Sequence, residues 1–233
     1  MRGDREGKPG ATNTDAGITT GAVTTAVERG GRFRLAPPSR GQLGGMVLAL
    51  LFLAGCVGYV VGKGSPPGRT SVDVGFLRDM IDHHDQAVVM ANVALDGATE
   101  PLVRHFAREV LIAQRYEVGL MDAWLGRWGY GGDADRAAAM GWMGVPTPVG
   151  EMPGMASPTQ MEALRQAQGR QVDALFLAMM KEHHRGGIEM ASVAARTAED
   201  RDVRALAARI ARYQRIEINE MESARQRLGL PTG

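Results

Sequence analysis

The hydrophobic pattern of the chain is helical, and it occurs twice. Across residues 76–97 and 103–128, apolar positions recur every three or four residues and charged positions fall on the opposite face, which is typical of amphipathic helices. The pattern returns 100 residues later, where FLAMMKEHHRGGIEMA at 176–191 matches FLRDMIDHHDQAVVMA at 76–91. Each repeat, 76–129 and 176–229, therefore predicts one helical hairpin.

Two hairpins that each expose an apolar face should pack together. We predict an all-α domain at 72–230, an antiparallel four-helix bundle with internal pseudo-twofold symmetry. Ser157–Gln160 has the spacing of a capping box with proline at the first helical position. Three glycines that we expect in the left-handed conformation close predicted helices: Gly97, Gly129 and Gly229.

An uncharged stretch of 20 residues, 43–62, precedes this domain. It can cross a hydrocarbon core of about 30 Å, so we predict a transmembrane anchor at 42–63, between a disordered cytoplasmic tail at 1–41 and a linker at 64–71. Seven basic residues precede the span: Arg2, Arg5, Lys8, Arg29, Arg32, Arg34 and Arg40. Only Lys63 and Arg69 follow it closely. The positive-inside rule then places the helical domain on the extracytoplasmic side of a single-pass cell-membrane protein.

The single cysteine suggests an alternative anchor. Leu53–Cys56 reads Leu-Ala-Gly-Cys and resembles the processing box of bacterial lipoproteins, which would make Cys56 a lipidated N-terminus. Residues 57–62 stay apolar where a lipoprotein has a polar tether, and the preceding tail is long for a signal peptide. These two features favour the uncleaved span. Both anchors place the domain outside the cytoplasm, and the lack of a second cysteine excludes disulfides within it.

Charge and motifs exclude several classes of function. The whole chain has a net charge of +1, but residues 71–233 contain 18 Lys and Arg against 22 Asp and Glu, a net charge of −4. The domain has no basic patch for nucleic acid. It also has no Gly-rich phosphate loop, no Gly-x-Ser-x-Gly and no Cys/His pairing, so nothing indicates a nucleophilic enzyme.

Polar side chains are predicted to face the interior of the bundle. They are His83, His84, Gln114 and Glu117, and in the second repeat His183, His184, Gln214 and Glu217. An unpartnered buried carboxylate is costly, so each glutamate must meet a histidine, an arginine or a metal ion. One explanation is a hydrogen-bond network in which Glu117 binds His84 or a symmetry-related histidine and Gln114 satisfies the remaining donors.

A second explanation is a metal site. Imidazole suits copper, zinc and iron, whereas thioether sulfur selects the cuprous ion. Met80, His83 and Met90 can point to one side of a helix, because they are spaced by three and seven residues. Adjacent histidines diverge by about 100°, so each pair should supply one ligand and one orienting partner. A di-iron carboxylate centre is disfavoured, because Glu-x-x-His is absent.

The connection between the repeats, 130–157, is rich in methionine. Four of the 14 methionines of the chain lie there as two Met-x-x-Met pairs: Met140, Met143, Met152 and Met155. They are either exposed soft-metal ligands or side chains tucked into grooves of the bundle.

The paired His-His segments, the intervening MPGMASPTQMEAL and the later Gln-x-x-Glu-x-x-x-Met strongly resemble the bacterial family Domain of Unknown Function 305 over about residues 72–230. The resemblance implies a ferritin-like four-helix bundle outside the cytoplasm, with copper binding through His and Met in some relatives. Carried over by position, the implied ligands are Met80, His83, His84, Met90, Glu117, Met121, Met180, His183, His184, Met190, Glu217 and Met221. Gly186-Gly187 replaces Gln86-Ala87 and is expected to loosen the helix of the second repeat.

The sequence thus predicts a membrane-anchored extracytoplasmic protein that binds copper, or another transition metal, and buffers or hands it on without catalysis. The alternative is a metal-free helical module for protein–protein interaction at the cell surface, including self-association. A metal-dependent redox enzyme is the third hypothesis.

Overall fold

The computed structural model describes residues 39–62, 65–131, 136 and 138–231, and these are mostly helical. Contacts divide the chain into two compact units, Met1–Gly62 and Lys63–Gly233. The helices are α1 Arg40–Gly62, α2 Val72–Gly97, α3 Pro101–Arg127, α4 Pro158–Gln166, α5 Arg170–Thr197 and α6 Arg201–Arg227. The prediction of a helical protein with an apolar N-terminal helix is confirmed. Residues 1–38 of the predicted tail lie outside the described residues.

Helix α1 forms the described part of the first unit. By length and composition it is apolar enough to cross a membrane, although a signal sequence near an N-terminus has the same properties. Its described side chains are exposed, including Leu48 and Phe52, and Cys56 is a free, exposed thiol.

Four long helices, α2, α3, α5 and α6, make up most of the second unit. Three residues join α2 to α3 and three join α5 to α6, so each pair runs antiparallel. Helix α2 also packs along α5. The apolar face of each helix is buried between its neighbours, and the largest fully buried side chains are phenylalanine, leucine, isoleucine and methionine.

Reciprocal capping joins the two hairpins. Asp173 at the start of α5 accepts hydrogen bonds from the backbone N–H groups of Thr99 and Glu100, both at 3.1 Å. Asp73 at the start of α2 accepts from the backbone of Glu199 at 3.1 Å and of Asp200 at 2.8 Å. Each carboxylate is fully buried and satisfies donors at the turn of the other hairpin. The N-terminus of each of these helices therefore lies beside the C-terminal end of the other.

The connection between α3 and α4 is anchored on α2. Residues Ala138–Ala139 (β1) and Thr147–Pro148 (β2) form a short antiparallel ladder, with 3₁₀ turns at Gly141–Met143 and Val149–Glu151. The buried carboxylate of Asp79 accepts from the Met140 backbone and Trp142 Nε1, both at 2.7 Å. It also binds Arg136 at 2.5 Å. Asp79 is therefore a loop anchor, and at the equivalent position in α5 Met179 has no such role.

Several local predictions can be checked directly. The capping box at Ser157–Gln160 is present, and Gly129 and Gly229 have positive φ. The prediction for Gly97 is wrong: it is the last residue of α2, and the extended residue Ala98 ends the helix before Pro101. The expectation that Gly186-Gly187 loosens the second repeat is also wrong, because α5 is continuous from Arg170 to Thr197.

Candidate metal centre

Two imidazoles stack at the contact between α2 and α5. The ring centroids of His83 and His183 lie 3.8 Å apart with an interplanar angle of 35°, and both side chains are fully buried. On each helix the neighbouring histidine ring is 6.4 Å from this central pair. Four imidazoles thus form a connected row across the core.

Burial keeps the central imidazoles neutral. Desolvation lowers the pKa of His83 to about 3, and the nearby His84 adds to this effect. Desolvation also lowers the pKa of His183 far below its ordinary value; the other histidines act in the same direction, and the His83 backbone opposes them only weakly. Neutral imidazole is the form that binds metal ions.

The second histidine of each pair meets a glutamate on the other helix of its hairpin. His84 Nε2 lies 2.9 Å from Glu117 Oε2, and His184 Nε2 lies 2.9 Å from Glu217 Oε2. A helix turns by about 100° per residue, so adjacent histidines face different neighbours. The predicted hydrogen bond between Glu117 and His84 is therefore present. Both glutamates contact an imidazole, so neither carboxylate is placed as a direct metal ligand.

These contacts fix which ring nitrogen carries the proton. A carboxylate or carbonyl oxygen only accepts, so Nε2–H donates in His84 and His184, and His83 Nε2–H donates to the Pro153 carbonyl at 3.1 Å. In these three rings, when neutral, the Nδ1 atom then offers a lone pair. Within the described residues all four Nδ1 atoms, and also Nε2 of His183, are buried without a hydrogen-bond partner of normal geometry. A buried imidazole nitrogen without a partner is unusual and calls for a water molecule or an ion beside it.

Six methionines of the predicted set lie in two groups beside this row. Met80 precedes His84 by four residues, and Met121 follows Glu117 by four. Because α2 and α3 are antiparallel, both methionines lie about one helical turn from the His84–Glu117 pair, towards the same end of the two helices. One core cluster contains Met80, Met121 and Met190, and the other contains Met90, Met180 and Met221. All six are at most 1 % exposed. Each group draws two thioethers from one hairpin and one from the other.

Two glutamines complete the polar interior, and their amides are not satisfied. Gln114 and Gln214 are each 3 % exposed. Among the residues described, both amide atoms of Gln214 and the Oε1 atom of Gln114 lack a partner. Gln214 fits where Gly187 has no side chain, since a Cβ there would lie 2.5 Å from Gln214 Oε1. The prediction that Gln114 satisfies the remaining donors is therefore wrong.

A strap formed by residues 152–156 closes one side of the row. Besides the bond from Pro153 to His83, the Gln86 amide clamps Ala156, donating to its carbonyl at 2.9 Å and accepting from its N–H at 2.7 Å. Gly186 lets the strap reach the α5 backbone, because a Cβ there would lie 1.8 Å from the Pro153 carbonyl oxygen. Sequence reasoning missed Pro153, Gln86 and the role of Gly186; the Gly-Gly departure from the first repeat was the available signal.

The loop methionines are buried or half-buried rather than fully exposed. Met140 and Met152 are buried at 3 % and 2 % exposure, and Met143 and Met155 are half-buried. In the part of the chain that the structure describes, no group of three or more His, Cys, Asp or Glu side chains is placed to hold a metal ion. The imidazoles come together in pairs with each other and with carboxylates. Any further ligand would have to be a thioether or an amide.

Comparison with known proteins agrees with this architecture. The model of the family "Domain of unknown function (DUF305)" matches residues 73–225, and the chain belongs to this family. A DUF305 protein from Streptomyces coelicolor, proposed to be secreted, has 32% sequence identity and a TM-score of 0.66, covering 71% of this chain and 99% of its own. A DUF305 fragment from Deinococcus radiodurans has 30% identity and a TM-score of 0.57, covering 67% and 96%.

A third solved structure is that of a metal-bound protein. CopM in its Cu(I)-bound form has 28% identity and a TM-score of 0.50, covering 67% of this chain and 96% of its own. CopM has also been solved with Cu(II) and with silver. No curated protein matches the chain.

Proposed function

We propose that this protein is a membrane-anchored, extracytoplasmic metal-binding protein that buffers or hands on copper, with the cuprous ion as its main cargo. The observation that carries the proposal is the row of four buried imidazoles whose Nδ1 atoms have no partner. A core that is stable without a ligand would satisfy such atoms or replace the rings by leucine.

The donor set fits copper. Neutral imidazole and thioether are the ligands that the cuprous ion prefers, and the two methionine groups are buried on the same four helices that carry the histidines and glutamates. We assign the ligand role to the four histidines and to Met80, Met90, Met121, Met180, Met190 and Met221. Glu117 and Glu217 have the orienting role, because their carboxylates hold Nε2–H of the outer histidines and turn Nδ1 towards the core. Copper or silver bound to CopM supports this choice of metal.

The same proposal includes the architecture. We infer a ferritin-like antiparallel four-helix bundle at 72–230 from two tandem hairpin repeats, 76–129 and 176–229, connected by 130–157. Its support is the recurrence of several contacts 100 residues apart, as in the His84–Glu117 and His184–Glu217 pairs. We further infer that 42–63 spans the membrane, with 1–41 in the cytoplasm and 64–71 as linker, on the strength of the apolar helix α1 and the basic residues before it.

The test is titration of the full-length chain in detergent with Cu(I), in competition with a chromophoric chelator and without oxygen. Stoichiometric binding is expected, and it should disappear when His83, His84, His183 and His184 are all replaced by Gln. Since this variant could also change the fold, its helicity is checked by circular dichroism. Equal, weak binding by both folded proteins would refute the proposal.

One observation favours the second candidate, a metal-free interaction module. Large apolar side chains are exposed on the outer helices: Ile112 at 64% and Tyr116 at 65% on α3, Tyr213 at 50% and Ile216 at 45% on α6. Exposed apolar groups of this size occur at protein–protein interfaces. Failure to bind Cu(I), together with self-association that an Ile112→Ser/Tyr116→Ser variant abolishes, would support this candidate instead.

A further inference from the structure

A groove between α4 and α5 lies directly over the strap. Its volume is about 590 Å³, and its lining includes strap residues Pro153 to Ala156 together with Gly186. The Pro153 carbonyl in this lining is the acceptor for His83 Nε2–H. Gly154, with φ of +81°, rests on the backbone of α5, where a Cβ would meet the His183 carbonyl oxygen at 2.7 Å. A single segment with a turn at Pro153–Gly154 therefore separates the groove from the two central imidazoles.

The strap is the weakest part of the wall around the histidine row. The other sides are formed by α2, α3, α5 and α6, whose backbones are hydrogen-bonded along their lengths. Among the described residues, the hydrogen bonds that tie the strap to α2 are the bond from His83 to the Pro153 carbonyl and the two bonds between Gln86 and Ala156. Met152 at one end of the strap is buried in the core, whereas residues 153–155 are half-buried. Moving only this middle part breaks few hydrogen bonds and leaves Met152 buried, whereas opening a helix breaks its backbone ladder.

Two thioethers face this groove. Met155 on the strap and Met179 on α5 both line it, and both are half-buried. The charged side chains in the lining balance, since Lys181 and Arg185 stand against Glu182 and Glu189. Thioether sulfur is a soft ligand of the kind that selects the cuprous ion.

Building on the proposed copper-binding function, we infer that this groove is the entrance for Cu(I), with Met155 and Met179 as the ligands that bind the ion first. The ion then exchanges these thioethers for the imidazoles of His83 and His183 as the strap moves aside. The exchange is a ligand substitution in which copper stays monovalent. Methionine serves here because a thioether binds the cuprous ion without needing to lose a proton.

The test separates the rate of loading from the amount bound. Full-length protein in detergent is mixed anaerobically with the Cu(I) complex of a chromophoric chelator, and the loss of the complex is followed in time to its endpoint. Met155→Leu/Met179→Leu should load at least about tenfold more slowly with an unchanged endpoint, because leucine fills the same space but is no ligand. Met143→Leu is the matched control, since Met143 is a half-buried loop methionine outside the groove lining, and it should load like the wild type.

A second variant reports on the strap. Gln86→Ala removes both bonds to Ala156, so it should load faster than the wild type while its helicity and its endpoint stay unchanged, which distinguishes strap movement from misfolding of the core. Equal loading rates for the wild type and the double methionine variant would overturn the proposed entrance. A lower endpoint of the double variant at an unchanged rate would also overturn it, because the two methionines would then store copper rather than admit it. Slowing by Met143→Leu to the same extent would overturn it too. If the wild type takes up no Cu(I), the proposed function itself fails and the entrance with it.

Discussion

At the scale of single residues, each adjacent histidine pair divides its imidazoles between two partners. His83 faces α5 and stacks on His183, while His84 faces α3 and binds Glu117. The turn of about 100° between neighbouring residues makes both contacts possible from one position on the helix. The inner rings are fully desolvated and neutral, and the outer rings are oriented by a carboxylate that is 14% or 24% exposed.

The glutamates provide a test of this division. Replacing both in Glu117→Gln/Glu217→Gln keeps the size of the side chain but removes the negative charge that orients His84 and His184. Copper affinity should fall by about 10- to 100-fold while the stoichiometry is unchanged, as measured by chelator competition. Glu109→Gln is the control, because Glu109 is 52% exposed and paired only with the exposed His105. A lower stoichiometry would instead identify the glutamates as metal ligands.

The two central histidines also predict how stability depends on pH. Burial lowers the pKa values of His83 and His183 in the folded state, from the ordinary 6.5 to about 3 for His83, so between these pH values the unfolded chain binds more protons. The contribution of the neutral rings is complete above pH of about 6.5 and declines as the pH falls towards 3. The free energy of unfolding of the metal-free protein should therefore decrease on acidification in this window, by on the order of 1 kcal/mol per pH unit per histidine.

Urea denaturation at a series of pH values, with a chelator present, measures this slope. His183→Gln should reduce the slope of the free energy of unfolding against pH by about the amount that one proton contributes. The reason is that neither ring nitrogen of His183 makes a hydrogen bond of normal geometry in the described part of the chain. His105→Gln should leave the slope as it is, since that side chain is 58% exposed. If both variants and the wild type show the same dependence of unfolding free energy on pH, the interpretation that His83 and His183 are buried in the neutral form is wrong.

At the scale of elements, two features of sequence combine to seat the strap. Gly186 gives the Pro153 carbonyl access to α5, and Gln86 at the equivalent position of α2 holds Ala156 by its amide. The segments 76–91 and 176–191 thus differ where a single strap contacts both. In the proposed function, this difference places the entrance on one side although the assigned ligands come in symmetric pairs.

Two glycine substitutions with opposite expected effects on stability test this arrangement. Gly186→Ala places a Cβ 1.8 Å from the Pro153 carbonyl oxygen, a backbone atom, and should destabilise the protein by about 1–3 kcal/mol. Gly119→Ala is its counterpart in an exposed part of α3 with nothing within 4 Å, and it should stabilise by up to about 1 kcal/mol. Thermal unfolding of both variants gives the signs. A neutral Gly186→Ala would mean that the strap does not rest on α5.

The sequence was a good guide to elements and a poor one to contacts between them. Helical periodicity predicted the long helices, and the spacing of Ser157 and Gln160 predicted a cap, because both depend on residues close in the chain. The inward position of Gln114 followed from the same periodicity, whereas its unsatisfied amide did not. The burial of Asp79 and the capping by Asp173 could not be predicted, since their partners lie more than 50 residues away. The contact made by the Pro153 carbonyl could not be predicted either, because a backbone group leaves no pattern in the sequence.

At the scale of the whole molecule, the apolar helix and the proposed metal site lie in different units. Every donor of the proposed site lies in the second compact unit, and the first contains an apolar helix with a single thiol. The net charge of −4 for residues 71–233 is compatible with the proposed binding of cations, and it gives no attraction to an anionic membrane surface. The proposed function therefore needs an anchor in the first unit, either a membrane span or a lipid.

The thiol of Cys56 discriminates between the two anchors. If 42–63 is an uncleaved span, Cys56→Ala changes only a small side chain within it, so the protein should stay in the membrane fraction at an unchanged mass. If Cys56 is a lipidated N-terminus, the wild type lacks residues 1–55 and carries acyl chains, and the variant loses both features. We expect mass spectrometry of the membrane-extracted protein to show the intact N-terminus in both forms. A wild-type mass that begins at a lipidated Cys56 would replace the span by a lipid anchor and leave the metal site unaffected.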